Sequence, residues 1–447
     1  MKMHRLHHGL LIVLFACCLS VPGFTQEKHA AITNFLSSPS PEFTVEWVDE
    51  IGLPHQTQYE LLLTSQEWKG YTWKHRLVIL VPERVQYDQA LLYIGGGRLE
   101  NNLPKQRDRD DAVVKGLENL AVDNNAIVAA IFQVPNQPIF DGKVEDEIIS
   151  YTLHQYQETG DETWPLLFPM VKSVQRAMDA VSTFTRDETG HEVHDFLLTG
   201  LSKRGWTTWL TGSQDDRVNA IAPMVIDVLN MPVSLQYQIE MWKDYSPEIQ
   251  DYVDLGIPQT SNTPEGTATI SMVDPYAYRN QLDMPKLVFM GTNDPYWPID
   301  AAKNYWHEIP GDNDLVYIPN VEHGLGDGQI ALQNLSAFFE YQCLQQALPQ
   351  VKMDVSKSGQ KKLTVSCSFP SHVPDKVLIW EAKSPEDMDF RDEKWKSKSV
   401  KNNQTKVTLP KKGQKTFYIA YHFTSPLGKP YYISSQIVRC DADGVIK

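Results

Sequence analysis

Cysteine is scarce in this 447-residue chain: there are five, two of them inside an apolar N-terminal run, and the remainder holds only Cys343, Cys367 and Cys440. That excludes a disulfide-framework scaffold, and no CxxC pair is present to build a zinc site. In an oxidising compartment Cys367 could pair with Cys440, leaving Cys343 free. Long apolar runs are missing too, since beyond residues 9–19 no span reaches the roughly 20 residues of a membrane-crossing helix. Positive charge is in deficit. The formal charge of −15 becomes −17 once the leader's two cations, Lys2 and Arg5, are removed, which argues against nucleic acid as a partner. The negative field suits cationic peptides at the surface, although acidity ordinarily serves solubility. Neither a GxGxxG nor a GxxxxGK[ST] loop occurs, and no metal or organic cofactor is implied.

At the N-terminus, Lys2 and Arg5 precede the apolar residues 9–19, and Val21-Pro22-Gly23 supplies the small residues of a signal-peptidase site. Residues 1–25 read as a secretory leader, which makes the protein periplasmic or secreted. Leu14-Phe15-Ala16-Cys17 offers an alternative lipoprotein signal ending at Cys17.

The chemistry gathers around Gly200-Leu201-Ser202-Lys203-Arg204-Gly205, between the apolar Asp195-Phe196-Leu197-Leu198-Thr199 and the helix-like Trp206-Thr207-Thr208-Trp209-Leu210. A serine on a sharp strand-to-helix turn is how an α/β-hydrolase exposes its nucleophile, and glycines around it permit the turn. In that fold the acid and then the base follow on later strand ends. Lys286-Leu287-Val288-Phe289-Met290 reads as a buried strand leading to Gly291-Thr292-Asn293-Asp294, and Leu315-Val316-Tyr317-Ile318 leads to Pro319-Asn320-Val321-Glu322-His323. Serine is a poor nucleophile until an imidazole takes its proton and a carboxylate orients that imidazole. Ser202, His323 and Asp294 fit those three roles, with Asp227, at the end of Ala222-Pro223-Met224-Val225-Ile226, as the rival acid.

Oxyanion donors are expected from the N–H of Lys203 and from Gly96 and Gly97, in the loop after Ala90-Leu91-Leu92-Tyr93-Ile94. Arg204 stands where the second glycine of a GxSxG elbow usually does, a displacement that resembles some glucuronoyl esterases and secreted peptidases. Lys203, Arg204 and Arg98 could form a cationic rim for an anionic substrate, or they could be tied up in salt bridges. Trp297, just beyond Asp294, and Trp242 and Tyr237, in an aromatic-rich insertion over residues 228–267, are the other candidate substrate contacts.

Alternating strands and helices predict a doubly wound, mostly parallel α/β sheet over residues 26–348, with residues 228–267 as a helical cap. Residues 31–41 read as a Ser/Pro lead-in, residues 57–63 and 73–81 as a hairpin, residues 298–309 as a short helix, and residues 327–346 as the last helix of this unit. Beyond Pro349, five strand-like runs with Lys-rich turns predict an all-β sandwich of immunoglobulin or fibronectin type III kind over residues 349–447.

The segment Ser202-Lys203-Arg204-Gly205-Trp206-Thr207-Thr208-Trp209-Leu210, with Gly291-Thr292-Asn293-Asp294-Pro295-Tyr296-Trp297-Pro298 and Glu322-His323-Gly324, resembles the PhoPQ-activated pathogenicity-related protein family. The resemblance runs from about Val45 into the C-terminal region. It implies an exported α/β-hydrolase-like protein linked to bacterial virulence and antimicrobial-peptide resistance, akin to slime-mould autocrine proliferation repressors. It implies no settled substrate. Residues and resemblance together predict a serine hydrolase cleaving a small ester or peptide, against two alternatives: an exopeptidase, and a non-catalytic secreted binding or signalling factor that keeps the fold.

Overall fold

The structure, a computed structural model, describes residues 30–105 and 111–446; the expected leader, with Cys17, lies outside the described residues. Six strands form a parallel core in the spatial order Val128–Ile131, Gln89–Ile94, Asp195–Leu201, Val218–Met224, Lys286–Gly291 and Asn313–Ile318. Their sequences are runs of apolar residues because helices cover both faces. Leu92, Ile94 and Leu198 share one cluster with Val174, Ala177 and Val181 of the helix Leu167–Phe184 and Trp209 of the helix Lys203–Gln214. Leu91, Leu197 and Phe289 point the other way, to Leu117 of the helix Ala112–Asn124 and Phe338 of the helix Gln329–Cys343. This is the doubly wound α/β arrangement the pattern predicts.

Three antiparallel strands, Thr44–Leu53, Gln56–Trp68 and Tyr71–Pro82, extend one edge and join at Val128–Ile131. The expected lead-in is instead headed by a helix, Ala30–Ser37, whose Ile32 is fully buried in the core. Residues 298–309 form two short 3-10 turns, Ala301–Asn304 and Trp306–Glu308, rather than an α-helix.

The insertion is larger than residues 228–267. It carries helices Met231–Trp242, Gln250–Val253 and Pro264–Val273, then a 3-10 stretch Pro275–Gln281, and ends only at the strand Lys286–Gly291. Thr263 caps the third of these helices by accepting from the Gly266 amide at 3.1 Å, a local signal that a search for apolar periodicity passes over.

The C-terminal strands lie in two sheets. Lys352–Lys357, Lys362–Ser368 and Gln404–Thr408 make a separate three-stranded sheet. Lys396–Ser399, Lys376–Ser384, Gln414–Thr424 and Pro430–Ser434 continue the large sheet beyond Asn313–Ile318. The junction is made largely by side-chain hydroxyls: the Tyr317 N–H donates to Ser434 Oγ at 3.1 Å, and its carbonyl accepts from Tyr432 at 2.9 Å and Tyr418 at 3.2 Å. The boundary at residue 349 is therefore not a break in the fold. Cys343, Cys367 and Cys440 are all buried free thiols, so the expected pairing does not form. Cys367 pairs with Met353 in the small sheet and Cys440 with Lys415 in the large one. No described helix is long and apolar enough to cross a membrane, and the described residues hold no cluster of three or more metal-ligating side chains.

Candidate active site

Ser202 sits between the strand Asp195–Leu201 and the helix Lys203–Gln214 with φ 57° and ψ −125°. A side-chain-bearing residue held there costs about 1–3 kcal/mol, which only the surrounding packing can impose. That packing is close. A Cβ on Gly205 would stand 2.8 Å from the Met224 carbonyl oxygen and 2.9 Å from that of Gly200, so the helix meets the sheet only with glycine at this displaced position. The helix then buries a threonine-rich face, and Thr207, Thr208 and Thr211 each donate to the carbonyl four residues back, at 2.8–2.9 Å.

The strands leading to Ser202, Asp294 and His323 are parallel, with Val218–Met224 between the first and the second, so all three residues follow strands at the carboxyl end of the sheet. His323 Nδ1 is 2.8 Å from Asp294 Oδ2, and Asp294 Oδ1 accepts from the Tyr296 amide at 2.9 Å. Asp294 is buried, whereas the imidazole keeps 21% of its surface. Tyr296 stacks on that imidazole with centroids 4.0 Å apart. His323 Nε2 has no protein partner among the described residues, Ser202 included. Contacts between nucleophile and base are commonly loose without substrate and tighten when it binds. The rival acid Asp227 faces elsewhere: it accepts from the Tyr305 hydroxyl at 2.7 Å, and burial pushes its carboxyl up to about 7.

Ile94 is the register partner of Gly200, so Gly96 falls abreast of Ser202. The Gly96 and Gly97 amides have no acceptor among the described residues, and the Lys203 amide opens its helix, where first-turn N–H groups lack intrahelical partners. These are the three expected oxyanion donors. Gly96 has a further reason to be glycine, because a Cβ there would lie 2.6 Å from an Arg204 guanidinium nitrogen.

That guanidinium does not reach toward substrate. Arg204 donates to the Val134 carbonyl at 2.5 Å and grips Glu145 with two bonds of 2.7 and 2.8 Å. Lys203 Nζ lies 3.0 Å from Glu145 and 2.8 Å from Asp146. Burial raises the Glu145 carboxyl, but the bonds and charges of Arg204, with Lys203 and Gln137, outweigh it and hold it down at about 2. The cationic rim is thus neutralised, and Arg98, though exposed, does not line the cavity beside Ser202. Glu145 and Asp146 open the helix Glu145–Thr159, where acidic residues suit the positive end of the helix dipole. A run of three acids, Glu145-Asp146-Glu147, is the sequence signal that marks them.

A small cavity of about 70 Å³ lies beside Ser202. Its wall is mostly apolar: Trp206, Ile226, Met231, Leu235, Ile270 and Trp297 contribute, with Asp146, Lys203 and Tyr252 as polar exceptions. Trp297 thus lies where the sequence placed it. Tyr237 and Trp242 do not line this cavity. The Tyr237 hydroxyl donates to Asp300 at 2.7 Å and contacts Arg439, while Trp242 lies under the Arg391 guanidinium at 4.0 Å, so both aromatics fasten the cap to the C-terminal strands.

A parallel core with a serine on the strand-to-helix turn and a histidine–aspartate pair after later strands is the arrangement of the α/β-hydrolase fold. Within it, residues 32–391 match the PhoPQ-activated pathogenicity-related protein family, and the chain belongs to that family. It is 30% identical over 374 residues to autocrine proliferation repressor protein A of Dictyostelium discoideum, across 79% of this chain and 74% of that one. Among solved structures it is similar to acetyl xylan esterase 1 from a Thermoanaerobacterium species, at 15% identity and TM-score 0.49 over 69% of this chain and 93% of that one. It is also similar to the Pyrococcus horikoshii acylaminoacyl peptidase, at 12% identity and TM-score 0.42 over 66% of this chain and 49% of that one.

Proposed function

We propose that the protein is a serine hydrolase acting on esters whose carbonyl carries an uncharged apolar group. The observation behind this is His323, held on Asp294 through Nδ1 with Nε2 left unpartnered, on a loop at the same end of the sheet as a strained elbow serine. His323 Nε2 takes the Ser202 proton as Oγ attacks the carbonyl, and the Lys203, Gly96 and Gly97 amides receive the oxyanion. The alcohol leaves with that proton, and His323 then activates water to release the acyl group. The apolar cavity beside Ser202 supports the acyl preference. A substrate amine would need a free carboxylate and an acidic ester a free cation, whereas Glu145, Asp146, Lys203 and Arg204 satisfy one another. The leader-like pattern of residues 1–25 supports a reaction outside the cytoplasm. The division of the C-terminal strands between two sheets, three in the small one and five in the large one, supports a fibronectin type III-like sandwich that shares its second sheet with the hydrolase core.

The test is fluorophosphonate labelling with peptide mapping, followed by a p-nitrophenyl ester series from acetate to octanoate. Expected are an adduct on Ser202 that is lost in Ser202→Ala and His323→Ala, and rates that rise with acyl length. Asp294→Asn is expected to lower kcat about 10⁴-fold. A folded wild type that neither labels nor hydrolyses any ester would leave the non-catalytic reading standing.

A further inference from the structure

The connection between the C-terminal strands Lys376–Ser384 and Lys396–Ser399 reaches back to the strand ends that carry the acid and the base. Asn293, immediately before Asp294, donates its side-chain amide to the carbonyls of Arg391 at 2.9 Å and Glu393 at 2.8 Å. Asn320, three residues before His323, exchanges two bonds with the backbone of Trp395: its amide donates to that carbonyl at 3.2 Å, and its oxygen accepts from that N–H at 2.8 Å. Thr292 joins the two loops, because its hydroxyl donates to Asn293 Oδ1 at 2.8 Å and accepts from the Asn320 backbone N–H at 2.8 Å. Phe390 and Trp395 are buried in the same cluster as the hydrolase core, so the connection is anchored at both ends of the segment that makes these bonds. Nothing comparable is needed to hold a surface hairpin. The bonds run to the two short loops that carry Asp294 and His323.

We infer that residues 390–395 of the C-terminal region are a clamp that sets the separation of Asp294 and His323, with Asn293 and Asn320 as positioning residues. The C-terminal strands are then part of the catalytic apparatus rather than an appended binding module. Misplacing a reacting group by about 1 Å can cost 10²-fold in rate, which is the size of effect a slack clamp should have.

The experiment uses the full chain and compares wild type, Asn293→Ala, Asn293→Asp and Lys398→Ala. Lys398 pairs with Glu381 on the C-terminal sheet, away from the clamp bonds, and serves as the control. Readouts are the maximal rate and half-saturation of fluorophosphonate capture, the pH midpoint of that rate, the far-downfield proton resonance of His323 Nδ1–H, and the melting temperature. In Asn293→Ala the maximal capture rate is expected to fall about 10²-fold with half-saturation unchanged, the pH midpoint to move, and the resonance to weaken. Asn293→Asp should do no better, since it keeps the oxygen that Thr292 uses but turns a carboxylate toward the Arg391 and Glu393 carbonyls. Lys398→Ala should match wild type on every readout. Wild-type rate, midpoint and resonance in Asn293→Ala would overturn the clamp, as would a rate loss with an unchanged resonance that tracks melting temperature alone. If wild type itself fails to label, the proposed hydrolase falls, and the resonance still decides the clamp.

Discussion

The two walls beside Ser202 are built on opposite terms. On one, Lys203 and Arg204 face Glu145 and Asp146, four charges that leave no formal excess and are tied by bonds of 2.7–3.0 Å. On the other, Met231, Leu235, Ile270 and Trp297 present side chains that form no ion pairs at all. Charge next to a nucleophile is therefore no guide to what the nucleophile recognises. Here it holds the turn in place, and the proposed acyl selectivity rests on the wall without charge.

The largest effect should come from breaking the charged wall. Glu145→Gln removes the charge that Arg204 and Lys203 share while keeping one acceptor oxygen, and denaturant unfolding should show a loss of about 2 kcal/mol, below that of a fully buried pair because the Glu145 side chain is 36% exposed. Next comes the apolar wall: Leu235→Trp fills part of the cavity, and kcat/KM for octanoate should fall about 10²-fold while acetate is little changed. Asp227→Asn sharpens the contrast between paired and unpaired carboxylates. The Asp227 carboxyl, raised to about 7, stabilises the fold fully below its ordinary value near 4, and this is lost as pH rises toward 7. Glu145 runs the other way, its contribution present above its ordinary value of 4.5 and lost as pH falls through about 2. A melting-temperature profile should therefore flatten between pH 4 and 7 in Asp227→Asn and on its acid limb in Glu145→Gln. The smallest effect belongs to the turn itself. Ser202→Gly relieves the strained φ and loses no capping bond, so it should abolish labelling while gaining about 1 kcal/mol of stability.

What could be read beforehand follows from how local each feature is. Ser202, Asp294 and His323 each sit in a short motif directly after an apolar strand, so chain order alone brought out the set. Asn293 and Asn320 lay inside those same motifs, but their partners are about 75 to 100 residues away, and no pattern in the chain joins them. The cationic rim failed as an expectation because its neutralising acids come from a different helix. Tyr237 and Trp242 were expected at the pocket on composition, yet a helix has a back as well as a front, and theirs faces Asp300 and Arg391. The large sheet running on past residue 349 was hidden because its junction depends on hydroxyls of Ser434, Tyr418 and Tyr432, which look like ordinary strand residues.

That junction has a consequence for any attempt to cut the molecule in two. A chain ended near Pro349 would lay bare the outer margin of Asn313–Ile318, the strand that leads to His323, and with it a row of amides and carbonyls fit to template a neighbouring chain. The side chains there are apolar, with Leu315, Val316, Tyr317 and Ile318 all buried, so the fragment would carry a sticky border where the whole protein has a sealed one. Shortened versions are therefore expected to self-associate and precipitate, which light scattering of a chain ended near Pro349 would check.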